Sequence, residues 1–426
     1  MELDYGAYNL PLTPIPELLP STAGPPSSEN EAQLIVAAIA DAQKKLNDLE
    51  AHITALQHQG AKLRHFISQH NSILAPIRRV PNEILTEVFR VCVDQDARRE
   101  RRRVPWTITW VCARWRAVAL NAPHLWRSVS IFVGGYDHAA PGPGKLETQL
   151  ARAGAVPLSV HVHSNVEIGE LYPFEPIYET CRRWELASIT GESITGSILN
   201  RVFAPPSNSF SLLRSLRIQT TSWMVTAPTR ASFPALRSVD FAMRKQLFPR
   251  HFIVPWHQLE MGRFEQMDLI DVLWICSQVS PIFLLHLDNS KLTWKRLGLP
   301  DQVTCAAGRI KLTNYRRLFF SELLGRLRAP DLTEMSLEYI HAHAGQGREF
   351  AQILVDFFAV SGCALRKLCI DGPLKELYLV RILTSPSAET VVDLDCPLCS
   401  VSDRAVGQIR NLLPHLVRFR YNAVPS

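Results

Sequence analysis

Leu213-Arg-Ser-Leu-Arg-Ile218 is followed 23 residues later by Leu236-Arg-Ser-Val-Asp-Phe241, and both fit the pattern L-x-x-L-x-L. With any apolar residue admitted at the three key positions, the pattern recurs upstream at Trp184 (with Ala187, Ile189). Downstream it recurs at Leu259 (Gly262, Phe264), Leu284 (Leu287, Asn289), Ala307 (Ile310, Leu312), Leu332 (Met335, Leu337), Leu365 (Leu368, Ile370), Val391 (Leu394, Cys396) and Leu416 (Phe419, Tyr421). Side chains alternate across a strand, so the last two apolar positions of each unit share one face. A unit this short cannot bury that face alone. Repetition therefore predicts a stack, each unit adding one strand to a parallel sheet. Apolar stripes over residues 316–327, 348–360, 374–383 and 401–413 supply helices for the return paths of right-handed crossovers.

The spacing resembles that of leucine-rich-repeat proteins, which implies a curved horseshoe. The ninth consensus position, where that family places Asn or Cys, holds Thr221, Arg244, Met267, Leu292, Tyr315, Ile340, Pro373, Cys399 and Val424, and only Cys399 conforms. The horseshoe is thus expected to be irregular; a mixed α/β domain with coincidental spacing is the competing reading. The third and fifth positions of each unit point away from the core, which the resemblance places on the concave face. There Arg263, Arg309, Lys311 and Lys367 form a candidate basic patch for an unknown protein target, acidic or phosphorylated. The alternative is that these charges are simply solvated.

Residues 76–131 carry a second signature: PIRRVPNEILTEVFRVC, an arginine-rich break, then TWVCARWRAVALNAPHLWRSVSI. Ile84, Leu85, Val88 and Phe89 mark one helix, opened by Pro81. Val111, Cys112, Trp115, Val118 and Ala119 mark a second, which Pro123 ends before Leu125 and Trp126. The set Val80, Pro81, Ile84, Leu85, Val88, Val111, Cys112, Trp115, Pro123, Leu125 and Trp126 resembles an F-box. That resemblance implies a three-helix module docking on an SKP-family adaptor and, through it, a cullin. It covers roughly an eighth of the chain. Val80 stands where the family usually has Leu, and residues 94–106 form a long insertion between the helices.

N-terminal to this module, residues 1–30 are rich in Pro, Ser and Gly without hydrophobic periodicity, predicting a disordered arm. A heptad then runs from Ala32 to His70, with Ile39, Leu46, Ile53 and Ile67 at one seam position and Ile35, Leu49, Leu56 and Leu63 at the other. Over residues 31–75 this predicts a long helix, weakened at Gly60, that either self-associates through residues 32–70 or folds back as a spacer. The expected order is then the F-box at 76–131, a linker at 132–156 and the repeats at 157–426. The fold class is α/β, a long helix and small helical module followed by an irregular solenoid.

Composition fits a soluble intracellular chain. Of 426 residues, 46% are hydrophobic and 20% charged, and no apolar run predicts a membrane span. Nine scattered cysteines form no disulfide framework, as in the cytoplasm or nucleus. A net charge of +6 is modest, so no nucleic-acid partner is expected. The run of Arg98, Arg99, Arg101, Arg102 and Arg103 reads as a solvated loop, with an import signal, or an acidic partner or the phosphates of a nucleic acid, as alternatives.

Catalytic signatures are missing: no nucleophile elbow, phosphate loop, dinucleotide fingerprint or H-E-x-x-H occurs. Cys396 and Cys399 have half of a zinc spacing, but a structural zinc wants four ligands. The pairs His161/His163 and His341/His343 lie near no carboxylate or cysteine cluster, so no metal or cofactor is expected. The reading is a non-catalytic F-box substrate receptor of a cullin–RING ubiquitin ligase. A repeat scaffold whose F-box-like helices merely cap the solenoid is the alternative.

Overall fold

A computed structural model describes residues 28–98, 104–133, 143–164, 175–191, 202–203, 209–220, 232–243, 253–288, 299–338 and 347–423. The chain divides into two compact units, Met1–Ile84 and Leu85–Ser426. In the first, α1 (Glu29–Leu74) is one helix of 46 residues, about 69 Å at 1.5 Å per residue. It begins inside the arm expected to be disordered and passes through Gly60 unbroken. Ile39, Leu46, Ile53, Leu56, Leu63 and Ile67 of the seam are exposed. The helix ends before a 3-10 turn, Pro76–Arg79.

Helix α2 (Asn82–Arg98) crosses into the second unit, followed by α3 (Val104–Val111) and α4 (Ala113–Leu120). This corrects two expectations. Helix covers most of the insertion expected at 94–106, leaving only residues 99–103, and with them most of the arginine run, outside the described residues. The stripe from Val111 to Ala119 is two helices, not one. Cys112 interrupts it with an extended backbone and caps α4, its Sγ accepting a hydrogen bond from the Trp115 amide at 3.5 Å.

Twelve parallel strands form one sheet in chain order: β1 (Ser128–Val133), β2 (Leu158–Ser164), β3 (Trp184–Gly191), β4 (Ser215–Thr220), β5 (Ser238–Met243), β6 (Met261–Glu265), β7 (Leu284–Asp288), β9 (Arg309–Thr313), β11 (Glu334–Glu338), β12 (Lys367–Asp371), β13 (Asp393–Val401) and β14 (Arg418–Ala423). Two short strands, β8 (Val303–Thr304) and β10 (Leu327–Arg328), pair separately. The register runs through every strand. Val129, Val160, Ala187, Leu216, Val239, Gly262, Leu285, Ile310, Met335, Leu368, Leu394 and Phe419 form one apolar row, and Ile131 to Tyr421 a second. Glycine in the first row has a cause: a Cβ at Gly262 would stand 2.5 Å from the Phe283 ring, which fills that space.

Helices return the chain between strands. They are α5 (Pro143–Ala153), the single turn α6 (Glu175–Tyr178), α7 (Leu269–Cys276), α8 (Arg317–Arg326), α9 (Gly347–Ser361), α10 (Glu376–Leu383) and α11 (Asp403–Leu412). The last four coincide with the predicted stripes. In α9, Phe350, Leu354, Phe357 and Phe358 turn inward, as their spacing requires.

Two further corrections concern the sheet. It begins at Ser128, inside the region assigned to the F-box, and the expected linker at 132–156 contains α5. The unit placed at Leu284 slips by two residues. Leu285 and Leu287 occupy the core rows, aligned with Gly262 and Phe264, while Leu284 lies in an outward row. A two-residue slip keeps Leu287 on the same face, so alternation alone could not expose it.

Candidate functional site

The helical module divides its apolar residues between two faces. Along α2, Leu85, Phe89 and Val93 are buried, whereas Ile84, Val88 and Val91 form an exposed stripe at i, i+4 and i+7. The single face expected for Ile84, Leu85, Val88 and Phe89 is therefore two. Trp110, 73% exposed, and Val111 add apolar surface at the end of α3. Cys112 and Pro81 are exposed, as is Pro123, while Val80 and Trp115 are half-buried. The Trp115 ring packs 4.9 Å from that of Phe89, joining α4 to α2.

Leu125 and Trp126, expected in the adaptor-binding set, lie inside, as does Leu85. They are core residues and contribute nothing to the exposed surface. Trp126 Nε1 donates to Ala119 O at 2.8 Å, and its ring meets Trp106 edge-on at 5.0 Å. From α5, the Arg152 guanidinium lies 4.7 Å from the Trp106 ring centre and 4.4 Å from that of Trp126. Burial, with Arg116 nearby, lowers the Arg152 pKa. Gln149 donates to the carbonyls of both Trp126 and Ser128, so α5 ties the helical module to the first strand.

The sheet face opposite the apolar rows is mostly polar, with Leu186, Met261 and Leu284 as apolar members of one row. Another row reads Ser130, His161, Ser188, Arg217, Asp240, Arg263, His286, Lys311, Ser336, Cys369, Asp395 and Arg420. His161 and His163 thus lie on a strand, half-buried; His341 and His343 lie outside the described residues.

The four predicted target-binding cations share this face but do not form an unneutralised patch. Arg263 donates to Asp288 at 2.8 Å, and Lys367 stands 3.9 Å from Asp393. Arg309 donates to Ile282 O at 3.1 Å. Lys311 has no ion pair among the described residues. Burial alone would raise the Asp288 carboxyl, but hydrogen bonds from Asn314, Arg263 and Thr313 outweigh it and hold its pKa below the ordinary value. Each acid lies on another strand, about 25 residues away in sequence, so these pairs form only through the register of the sheet.

His286 sits between Arg263 and Lys311 in the row, its Nε2 3.1 Å from Thr313 Oγ1. Burial, then the charges of Lys311 and Arg263, lower its pKa from 6.5 to about 4, against the opposing pull of Asp288. The folded chain therefore keeps this imidazole neutral while the unfolded chain takes up a proton. Its contribution to stability is present above about pH 6.5 and is lost as pH falls to about 4. Thermal melts across that window are expected to show a decline that His286→Gln reduces; equal slopes for variant and wild type would exclude this role.

Cys396 and Cys399 are both buried, and Cys399 Sγ lies 3.6 Å from Gly372 O. Among the described residues no group of three His, Cys, Asp or Glu could hold a metal ion, and no helix is long and apolar enough to cross a membrane. No known family model matches the chain, and no curated protein matches it.

Proposed function

We propose that this chain is an F-box substrate receptor of a cullin–RING ubiquitin ligase. Its helical module would bind an SKP-family adaptor, and the polar face of its leucine-rich-repeat-like sheet, read as an irregular horseshoe, would hold the target. The observation that carries this reading is the exposed apolar stripe of Ile84, Val88 and Val91 on α2, with Trp110 and Val111 on α3, on a module held together by the buried Leu85, Phe89, Val93, Ile108, Val118, Leu125 and Trp126. Uncovered apolar residues of this size in one module mark a protein-binding surface. Catalysis of ubiquitin transfer would belong to other subunits, and this chain would contribute proximity. Mixing the purified chain with a recombinant SKP-family adaptor is expected to give a stoichiometric complex on gel filtration; separate elution at micromolar concentration rejects the reading.

The scaffold alternative rests on the contacts of Arg152 and Gln149, by which the helices close the N-terminal end of the sheet. The same adaptor experiment separates the two. On the target face, Arg309 and Lys311 are the candidate contacts left once Arg263 and Lys367 are matched with acids. Reversing both to Glu is expected to weaken target capture in a salt-dependent way and to leave adaptor binding unchanged.

The seam of α1 adds a proposal of self-association. Ile39, Ile53 and Ile67 at one seam position with Leu49, Leu56 and Leu63 at the other is the combination that favours two parallel strands. In that register Lys45 faces Glu50 of the second copy, and no like charges meet across the seam. Light scattering is expected to show a dimer that Leu49→Lys with Leu56→Lys converts to a monomer. A wild-type monomer at micromolar concentration refutes it.

A further inference from the structure

The two ends of the twelve-stranded sheet are finished differently. At β1 the core residues Val129 and Ile131 are buried, with α5 packed against the strand. At β14 the corresponding residues Phe419 and Tyr421 stay half-exposed, although their register partners Leu394 and Cys396 are buried. Leu416, the first apolar position of this last unit, is half-exposed too. Among the described residues nothing pairs with the outer edge of β14, whose alternate peptide groups point away from β13. This edge therefore offers both unmet hydrogen bonds and an apolar lip.

Charge says what fits there. In the outermost strands the outward rows alternate in sign. Asp393 of β13 lies between Lys367 of β12 at 3.9 Å and Arg418 of β14 at 3.8 Å, and Asp395 meets Arg420 at 3.7 Å. Continuing the alternation by one strand requires acids opposite Arg418 and Arg420, whose side chains are 81% and 74% exposed. The intervening residues would have to be apolar, to cover Phe419 and Tyr421. A second copy of β14 is a poor occupant, because its arginines would face these arginines.

We propose that β14 is a docking edge for an extended segment of a partner protein in which acidic and apolar residues alternate, added to the sheet as a thirteenth strand. Main-chain hydrogen bonds would provide attachment, and the side-chain alternation selectivity. The inference does not depend on the ligase reading, since it rests on the edge alone.

β13 already has the required pattern in Asp393-Leu394-Asp395-Cys396, so a peptide copied from it is a suitable probe. Residues 390–397 with Cys396→Val, carrying a fluorophore, are expected to bind the full chain saturably by anisotropy. Replacing both peptide aspartates by lysine is expected to weaken binding at least about tenfold. Arg418→Glu with Arg420→Glu is expected to lose the acidic peptide by a similar factor and to gain the lysine peptide. That reversal also shows that the double variant is folded. N-methylation at alternate peptide nitrogens is expected to abolish binding for one set of positions and spare it for the other, the mark of strand pairing. The proposal is overturned if wild type shows no saturable binding up to ~1 mM, if N-methylation has no effect, or if the charge swap does not reverse preference. It is equally overturned if sedimentation finds a dimer that Phe419→Lys dissolves, for then a second copy holds the edge.

Discussion

A chain carrying Val88→Asp and Trp110→Asp is expected to lose SKP-family adaptor binding while keeping its fold. Val88 and Trp110 are 45% and 73% exposed, so charge at these positions remains hydrated in the free protein. In a complex the same carboxylates would be buried without partners, a penalty of several kcal/mol for each. A loss of at least about a thousandfold in affinity follows, near 4 kcal/mol. Circular dichroism and thermal melting should match wild type, because Leu85, Phe89 and Val93, which hold α2, are untouched. Adaptor binding retained by this variant would move the docking surface elsewhere and favour the scaffold reading.

Trp126→Ala is expected to have the largest effect on stability. The side chain is fully buried, bonded through Nε1 to Ala119 O, packed edge-on against Trp106 and covered by Arg152. Truncation removes the ring, leaves a cavity and deletes the hydrogen bond to Ala119 O, costing about 3–5 kcal/mol. For a unit of this size that is a fall in Tm of about 4–7 °C. Trp126→Phe keeps most of the packing and is expected to cost less than half as much. Denaturant unfolding of both variants checks the order; if Trp126→Ala were as stable as Trp126→Phe, the contacts joining the helical module to the sheet would carry little energy.

The parallel sheet was legible because its signal is repetitive: one slip at Leu284 is outvoted by neighbours such as Leu236 and Leu332, whose rows are correct. The first strand escaped although its signal was present. Trp126-Arg-Ser-Val-Ser-Ile131 fits the same pattern, with Trp126 in the position Trp184 takes later, but these residues were already assigned to the helical module. At β2 the first position is Pro157, which no apolar search admits.

Local chemistry was harder to read than periodicity. That Cys112 caps a helix depends on its backbone dihedrals, which an apolar stripe does not encode. Splitting Ile84 from Leu85 required knowing which face of α2 is covered, a tertiary fact. The four predicted cations lie on the face of the sheet opposite its apolar rows, yet two of them, Arg263 and Lys367, are matched by Asp288 and Asp393, residues of other strands brought alongside only by register. Short-range pattern thus fixed the strand faces, while pairing across repeats set the electrostatics.

Helix α5 bears on what kind of receptor this would be. A ligase subunit can hold its target on a leash, letting lysines wander to the ubiquitin-charged enzyme, or present it at a constant bearing. With Gln149 bridging the carbonyls of Trp126 and Ser128, and Arg152 lodged against two tryptophans, there is no free joint between the last turn of the helical module and the first strand. A target on the sheet would then sweep no arc at this junction. Which of its lysines receives ubiquitin would be decided by where they stand on its own surface, so moving a lysine by one helical turn should switch it on or off as an acceptor.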